Sequence, residues 1–121
     1  MRYLLLIYSR ERAEGPPPEE IDDIKRGHGA VMDESAKKGV LLAVEALKPT
    51  AMATSVRMKD GVAIITDGPF AETKEQLAGF YLMECRNLDE AIDWAKKIPT
   101  GCKGGEGCIE IRPIFELQRR G

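Results

Sequence analysis

Hydrophobic positions along the chain come in short runs separated by turn-forming or charged residues, which is the pattern of β-strands. These runs have strand length and cover 3–8, 40–47, 53–58, 62–66, 78–85 and 108–115. Asp60-Gly61 joins two of them, and this dipeptide between two strand-like runs is typical of a hairpin turn. The pattern therefore predicts six strands, with 53–66 forming a β-hairpin.

Two other segments have the spacing of amphipathic helices. From Glu19 onward the apolar stripe recurs every three or four residues, and Gly39 suits the left-handed residue that ends a helix. The positions on this stripe are Ile21, Ile24, His28, Val31 and Met32. The second helix is predicted to begin after an Asn87 cap, with Glu90 three residues later, and to keep its apolar spacing up to Pro99.

The order strand, helix, strand, hairpin, strand, helix, strand is that of an α+β protein. We predict a ferredoxin-like protomer with an extra β-hairpin, as a single domain over 1–121, with both helices on one face of the sheet. Strands 3–8 and 80–85 are apolar on both alternating faces, so the second face also needs cover. A second copy packed sheet to sheet would supply it, which predicts a homodimer. The alternative is that loops 11–18 and 68–77 fold over that face.

Composition excludes some classes of function. Lys and Arg total 18 against 20 Asp and Glu, so a strongly basic face for direct nucleic-acid binding is not expected. The longest apolar run, Tyr3 to Tyr8, is far shorter than the roughly 20 residues of a membrane span. The start also lacks the pattern of a signal peptide, and the 3 cysteines fit reduced thiols. We therefore expect a cytoplasmic protein without membrane contact.

His28 is the only histidine, so every histidine-dependent mechanism rests on it. Its spacing places it on the inward stripe of the first helix, between Gly27 and Gly29. The functional interpretation is a general acid or base near neutral pH, facing a cleft that the small neighbours leave open. The structural interpretation is a hydrogen-bonded histidine at the edge of the core, with glycines that admit a neighbouring backbone.

The tetrapeptide Asp67-Gly68-Pro69-Phe70 follows a predicted strand, at a position where sheets often present functional groups. One hypothesis is that the Asp67 carboxylate orients the imidazole of His28 or accepts its proton. The alternative is turn chemistry, in which Asp accepts backbone hydrogens, Gly takes unusual dihedral angles and Pro fixes the exit.

A charged stretch follows the tetrapeptide. Glu72 and Lys74 are candidates for binding a polar ligand. The alternative is that they form the solvated side of a helical turn, because Thr73 and Gln76 fit a capping box.

Neither a metal nor a nucleotide cofactor is expected. Cys102 and Cys108 have five residues between them, more than the spacing of a zinc knuckle, and no second pair accompanies them. The glycine-rich loop 101–107 lacks the Gly-Lys-Ser/Thr ending of a phosphate-binding loop.

The segment 62–82 reads VAIITDGPFAETKEQLAGFYL. It resembles the YCII-related family, specifically its DGPF (DGPFAETKE) branch. The likeness extends to 1–8, to His28-Gly29, to Gly39-Val40-Leu41, to Glu45-Ala46-Leu47 and to 111–114. It therefore covers nearly the whole chain.

The resemblance implies a dimeric α+β barrel of ferredoxin-like protomers. In similar proteins a histidine and an aspartate are proposed to form an active-site pair, which corresponds here to His28 and Asp67. Gly68, Phe70, Glu72 and Lys74 are then candidates for ligand binding. A family member in chloroaromatic breakdown is a lactone dehydrochlorinase, and many proteins of this branch look like companions of extracytoplasmic-function sigma factors.

Two hypotheses follow from the residues and the resemblance. The first is a homodimer that performs proton-transfer chemistry, an elimination or isomerisation, on a small carbonyl or lactone compound, with His28 moving the proton. The second is a non-catalytic small-molecule-binding or regulatory module linked to a sigma factor.

Overall fold

The computed structural model describes residues 1–11, 17–71, 73–100 and 107–117. These residues form six strands, two α-helices and one short 3-10 turn. In chain order the elements are β1 (Arg2–Ser9), α1 (Pro18–Lys37), β2 (Leu41–Ala46), the 3-10 turn (Thr50–Met52), β3 (Thr54–Lys59), β4 (Val62–Asp67), β5 (Gln76–Glu84), α2 (Leu88–Ala95) and β6 (Cys108–Pro113). The mixed α+β class expected from the sequence is confirmed.

Four of the strands form one antiparallel sheet in the order β2-β5-β1-β6. The central strands β1 and β5 are paired with Leu5 opposite Tyr81, and Val44 of β2 lies opposite Tyr81 on its other side. Strands β3 and β4 form a separate two-stranded sheet, which is the extra hairpin expected from Asp60-Gly61.

Both helices pack against one face of the four-stranded sheet. Tyr3, Leu5 and Ile7 alternate along β1 and are buried there, because every second side chain of a strand points to the same face. The other members of this core are Val31, Val40, Tyr81, Met83, Cys85, Ala91, Trp94 and Ile98. The core therefore joins the helices to the centre of the sheet.

The opposite face of the sheet, which we call the open face, also carries apolar side chains. Leu4 and Leu6 of β1 lie there, opposite Leu82 and Phe80 of β5, and all four are half-buried. The expectation that these strands are apolar on both faces is confirmed.

The helix ends follow the signals in the sequence. Gly39 has a φ of 71°, in the left-handed region that glycine adopts without strain. The Asn87 side chain accepts a hydrogen bond from the backbone N–H of Glu90 at 3.0 Å, which caps α2. Neither helix of the described part is at once long and apolar enough to cross a membrane.

The capping box expected at Thr73 is wrong. The Thr73 hydroxyl donates to the carbonyl oxygen of Glu75, and the side-chain amide of Gln76 donates to the carbonyl oxygen of Thr73. Gln76 is already the first residue of β5 and pairs with Ser9 of β1. Pairing along β1 therefore prevails over local helix signals.

The C-terminal boundaries of α2 and β6 also differ from expectation. Helix α2 ends at Ala95 rather than reaching Pro99, although Ile98 is still buried in the core. Strand β6 ends at Pro113, and Phe115 lies beyond it and is exposed.

Candidate functional site

A cleft of about 700 Å³ lies between α1 and the end of the four-stranded sheet. Its lining is mainly apolar, with Ile24 and Met32 from α1 facing Ile7 and Val44 from the sheet. A largely apolar concave site with a few polar groups is typical of small-molecule binding. The polar groups in this cleft therefore define the candidate chemistry.

His28 and Tyr81 form the polar pair in the cleft. The His28 Nδ1 atom lies 2.7 Å from the Tyr81 hydroxyl oxygen, and the two rings are stacked with 5.8 Å between their centroids. Helix α1 presents His28 from its inward stripe, and the central strand β5 presents Tyr81 from the face that the helices cover. Two of the most regular elements of the fold thus hold the pair.

Burial keeps both rings uncharged near neutral pH. Burial lowers the pKa of His28 below its usual value of 6.5, since the imidazolium form is less well solvated. Burial raises the pKa of Tyr81 to about 12, since the phenolate form is disfavoured. The pair therefore has a neutral imidazole beside a protonated phenol at pH 7.

The neutral pair has two proton arrangements. In the first arrangement the Tyr81 hydroxyl donates to Nδ1 of His28, and the Nε2–H group of His28 is a donor. In the second arrangement the Nδ1–H group of His28 donates to the Tyr81 oxygen. Nε2 is then a basic acceptor and the phenol hydrogen is free to donate. The pair can thus both accept and donate a proton within one site.

Gly27 and Gly29, on either side of His28, have different surroundings. A Cβ atom on Gly27 would lie 2.6 Å from Cγ of Pro99, whereas a Cβ on Gly29 would meet nothing within 4 Å. The close approach expected beside His28 is confirmed, and it is made by a proline ring rather than by backbone. Gly27 therefore lets α1 pack against Pro99, which also lines the cleft.

Asp67 lies apart from this lining. It is the last residue of β4, pairs with Thr54 and is exposed. The Gly68 N–H that follows donates to the carbonyl oxygen of Ala53 at 2.7 Å, and Gly68 has a φ of 101°. The unusual dihedral angle expected of Gly68 is thus present in the structure, and the pairing of Asp67 with His28 stays a prediction.

The other expected ligand-binding residues lie outside the cleft lining or outside the described residues. Phe70 is 77 % exposed, with its carbonyl oxygen accepting from Arg57 at 3.4 Å, and Lys74 is exposed. Glu72 lies outside the described residues. Their roles in ligand binding also stay predictions.

Sequence reasoning missed Tyr81, although its position in an alternating strand was visible. It also missed Glu11, whose carboxylate accepts from the backbone N–H of Thr50 at 2.8 Å and from its hydroxyl at 2.6 Å. Glu11 lines the cleft together with Arg10 and Lys25, so charged groups surround an apolar interior.

Neither the cysteines nor the acidic residues form a metal site in the part of the chain that the structure describes. No group of three or more His, Cys, Asp or Glu side chains able to hold a metal ion occurs there. Cys85 is buried and Cys108 is exposed, while Cys102 lies outside the described ranges.

A second cleft, of about 680 Å³, lies beside Trp94. Two lysines of its lining bind a carboxylate outside the lining. Lys97 and Lys38 lie 2.8 Å and 3.3 Å from the Glu34 carboxylate, and both ammonium groups lie over the Trp94 ring. These groups already have partners, so the His28 cleft is the stronger candidate site.

The fold and the site together define an α+β protein with a helix–sheet cleft that holds a partly buried His–Tyr pair. The sequence model of the YCII-related domain matches residues 1–118, and the chain belongs to this family. It is also 40% identical over 115 residues to an uncharacterised protein of Rhizobium meliloti (strain 1021), covering 94% of this chain and 92% of that protein.

Proposed function

We propose that this protein binds a small, largely apolar molecule in the cleft and that His28 moves a proton on it, in an elimination or isomerisation of a carbonyl or lactone compound. The observation that carries the proposal is the 2.7 Å hydrogen bond between His28 Nδ1 and the Tyr81 hydroxyl inside an apolar cleft. A neutral imidazole in such surroundings is a base suited to neutral pH.

In the proposed step the imidazole nitrogen accepts a proton from the carbon next to the carbonyl group. The electron pair of that C–H bond forms a new double bond. In an elimination the leaving group departs with its own electron pair, and in an isomerisation the same proton returns to another carbon. No oxidant or reductant is required.

Tyr81 has the properties of a hydrogen-bond donor in this step. Its pKa of about 12 keeps the hydroxyl protonated, so it can donate to the carbonyl oxygen as negative charge develops there. Donation of Nδ1–H of His28 to the Tyr81 oxygen would hold the imidazole with Nε2 free to accept the proton.

A non-catalytic small-molecule-binding or regulatory module, with the predicted link to a sigma factor, is the second candidate. One observation favours it. Among the described residues no carboxylate is hydrogen-bonded to His28, so the expected orienting group for a general base is not beside it. Asp67 is exposed at the end of β4 and would fill this role only if it approached the imidazole.

The assembly that we propose is a homodimer of ferredoxin-like protomers, as a dimeric α+β barrel. The strand order β2-β5-β1-β6 with both helices on one face supports the ferredoxin-like part. The half-buried apolar side chains of the open face support the dimer, since a second sheet packed on them would bury them. The cytoplasmic location stays a prediction.

Hydrogen exchange in deuterated water tests the reaction directly. A five-membered unsaturated lactone is incubated with the protein, and proton NMR follows the loss of the hydrogens next to its carbonyl group. We expect the wild type to accelerate this exchange, His28→Gln to abolish the acceleration, and Tyr81→Phe to reduce it by roughly 10²-fold, since one donor to the developing oxyanion is lost.

Binding is measured separately, from shifts of the His28 ring signals on addition of the same lactone. Binding without exchange would contradict the proton-transfer proposal and favour the binding module. Exchange that persists in His28→Gln would contradict the role of His28. A variant at the exposed Lys96, Lys96→Ala, is the control for a charged residue outside the cleft lining.

A further inference from the structure

The polar groups of the His28 cleft lie at two depths. Tyr81 is buried and His28 is half-buried, and together they form the inner pair. Lys25 lines the same cleft from α1, but its side chain is exposed, so it lies at the mouth. Helical residues three positions apart are neighbours on one side of the helix, with about 5–6 Å between their Cβ atoms. An ammonium group therefore accompanies the proposed base along the same side of α1.

The carboxylates of the cleft lining are not paired with Lys25. The Glu11 carboxylate accepts from the backbone N–H of Thr50 at 2.8 Å and from its hydroxyl at 2.6 Å. Glu45 lies opposite Phe80 in the pairing of β2 with β5, so its side chain points to the open face and away from the cleft. The acidic side chains of the lining are thus engaged or directed elsewhere.

The Lys25 ammonium group and the Ser9 hydroxyl group are available to a ligand. Within the part of the chain that the structure describes, neither group forms a hydrogen bond or an ion pair. Ser9 is the last residue of β1, continues the alternation of Leu5 and Ile7, and lines the cleft in a half-buried position. Both groups are hydrogen-bond donors, and one of them is positively charged. Such a pair of groups suits an anion.

We propose that Lys25 and Ser9 bind a carboxylate group of the ligand, while the carbonyl group of the same ligand reaches Tyr81 and His28. The ligand is then a small oxo acid. The inference rests on the proposed function and names the substrate class of its site. A carboxylate is the expected partner because hydrogen bonds between charged groups are stronger than those between neutral ones.

The spacing of the two polar levels indicates a short ligand. Lys25 and His28 are three residues apart on α1, which corresponds to a rise of about 4.5 Å along the helix axis. A chain of a few carbons covers a distance of this size. Ile24 and Met32 line the cleft from the same helix and would contact these carbons. Levulinate, which has two CH₂ groups between its carboxylate and its ketone, is therefore a suitable probe.

A pair of ligands that differ only in charge tests the carboxylate subsite. Dissociation constants of levulinate and of its neutral amide, levulinamide, are measured from shifts of the His28 ring signals at neutral pH and low ionic strength. We expect the wild type to bind levulinate about fivefold more tightly than levulinamide, since the ammonium group is at the rim of the cleft, where charge pairing is modest. Increasing salt should weaken the binding of levulinate only.

Two lysines of α1 provide the matched variants. Lys25→Met removes the charge and keeps an unbranched side chain, so levulinate should bind only as tightly as levulinamide. Lys25→Arg keeps the charge and should keep the preference for levulinate. Lys37 is exposed on the same helix outside the cleft lining, and Lys37→Met should leave the preference unchanged. Ser9→Ala should weaken levulinate about two- to threefold, since one neutral donor is lost.

Several results would overturn the proposal. These are equal affinities of the wild type for the two ligands, equal losses of the preference in Lys25→Met and Lys37→Met, and no shift of the His28 signals by levulinate at millimolar concentration. Near-ultraviolet circular dichroism of Trp94 checks that the variants keep their core.

Hydrogen exchange separates this inference from the proposed function. Levulinate that binds with the expected preference but without faster exchange of the hydrogens next to its ketone would contradict proton transfer and support the carboxylate subsite. Faster exchange of the neutral lactone, without any preference for levulinate over levulinamide, would contradict the subsite alone.

Discussion

In the four-stranded sheet Leu5, Tyr81 and Met83 are fully buried, whereas in the β3–β4 hairpin Val56 and Ile65 expose about two thirds of their surface. Both regions are strands with alternating apolar side chains. The difference lies in what covers them, because two helices pack on the sheet, whereas the described part of the chain leaves these two hairpin side chains exposed. Burial is thus decided by the neighbouring element rather than by the strand pattern.

The candidate site residues are divided between the same two regions. His28 lies in the cleft of the helix-covered sheet, where burial lowers the pKa of its imidazole. Asp67 lies in the hairpin and is exposed. The surroundings of His28 are therefore formed by elements of the same chain. The surroundings of Asp67 depend on what the hairpin contacts.

The largest expected effect is a difference in the free energy of unfolding between a leucine variant of the sheet and an isoleucine variant of the hairpin. Leu5→Ala should lower the free energy of unfolding by about 3 kcal/mol, since it leaves a cavity in the core. Ile65→Ala, at concentrations low enough to avoid pairing of copies, should change it by less than about 0.5 kcal/mol. Denaturant titration followed by Trp94 fluorescence measures the free energy of unfolding of both variants. Equal losses of this free energy would contradict the difference in burial between the sheet and the hairpin.

A smaller effect on stability is expected at the two glycines on either side of His28. Gly27→Ala should destabilise the fold by about 1–3 kcal/mol, because its Cβ would lie 2.6 Å from Pro99 and α1 would have to move. Gly29→Ala should stabilise it by about 0.5–1 kcal/mol, because its Cβ has space and alanine favours a helix. Thermal unfolding measures the change in stability of each variant. A change of the same sign in both variants would contradict the packing of α1 on Pro99.

The smallest effect is a dependence of stability on pH. The folded state holds the pKa of His28 below the value of about 6.5 expected for the unfolded chain, so the unfolded chain binds the proton first as pH falls. Stability should be fully present above about pH 6.5 and should decrease below it until the folded imidazole is also protonated. His28→Gln should reduce this decrease, and a variant that keeps all of it would contradict the burial of His28.

Much of the fold could be predicted from the sequence, because local signals and packing agree. The Asn87 cap, the left-handed Gly39 and the Asp60-Gly61 turn are determined by chemistry within a few residues. The Thr73 capping box failed because strand pairing of Gln76 with Ser9 is a long-range contact. Tyr81 was missed for the same reason, since its contact with His28 joins residues 53 positions apart.

The proton-binding behaviour of the His28–Tyr81 pair is the central claim, and an NMR titration of the imidazole tests it most directly. His28 is the only histidine, so its ring signals are assigned without ambiguity. We expect the folded wild type to titrate below the value of about 6.5 that the urea-unfolded chain shows. A folded imidazole that titrates at or above the unfolded value would contradict a neutral, partly buried His28–Tyr81 pair as the centre of the site.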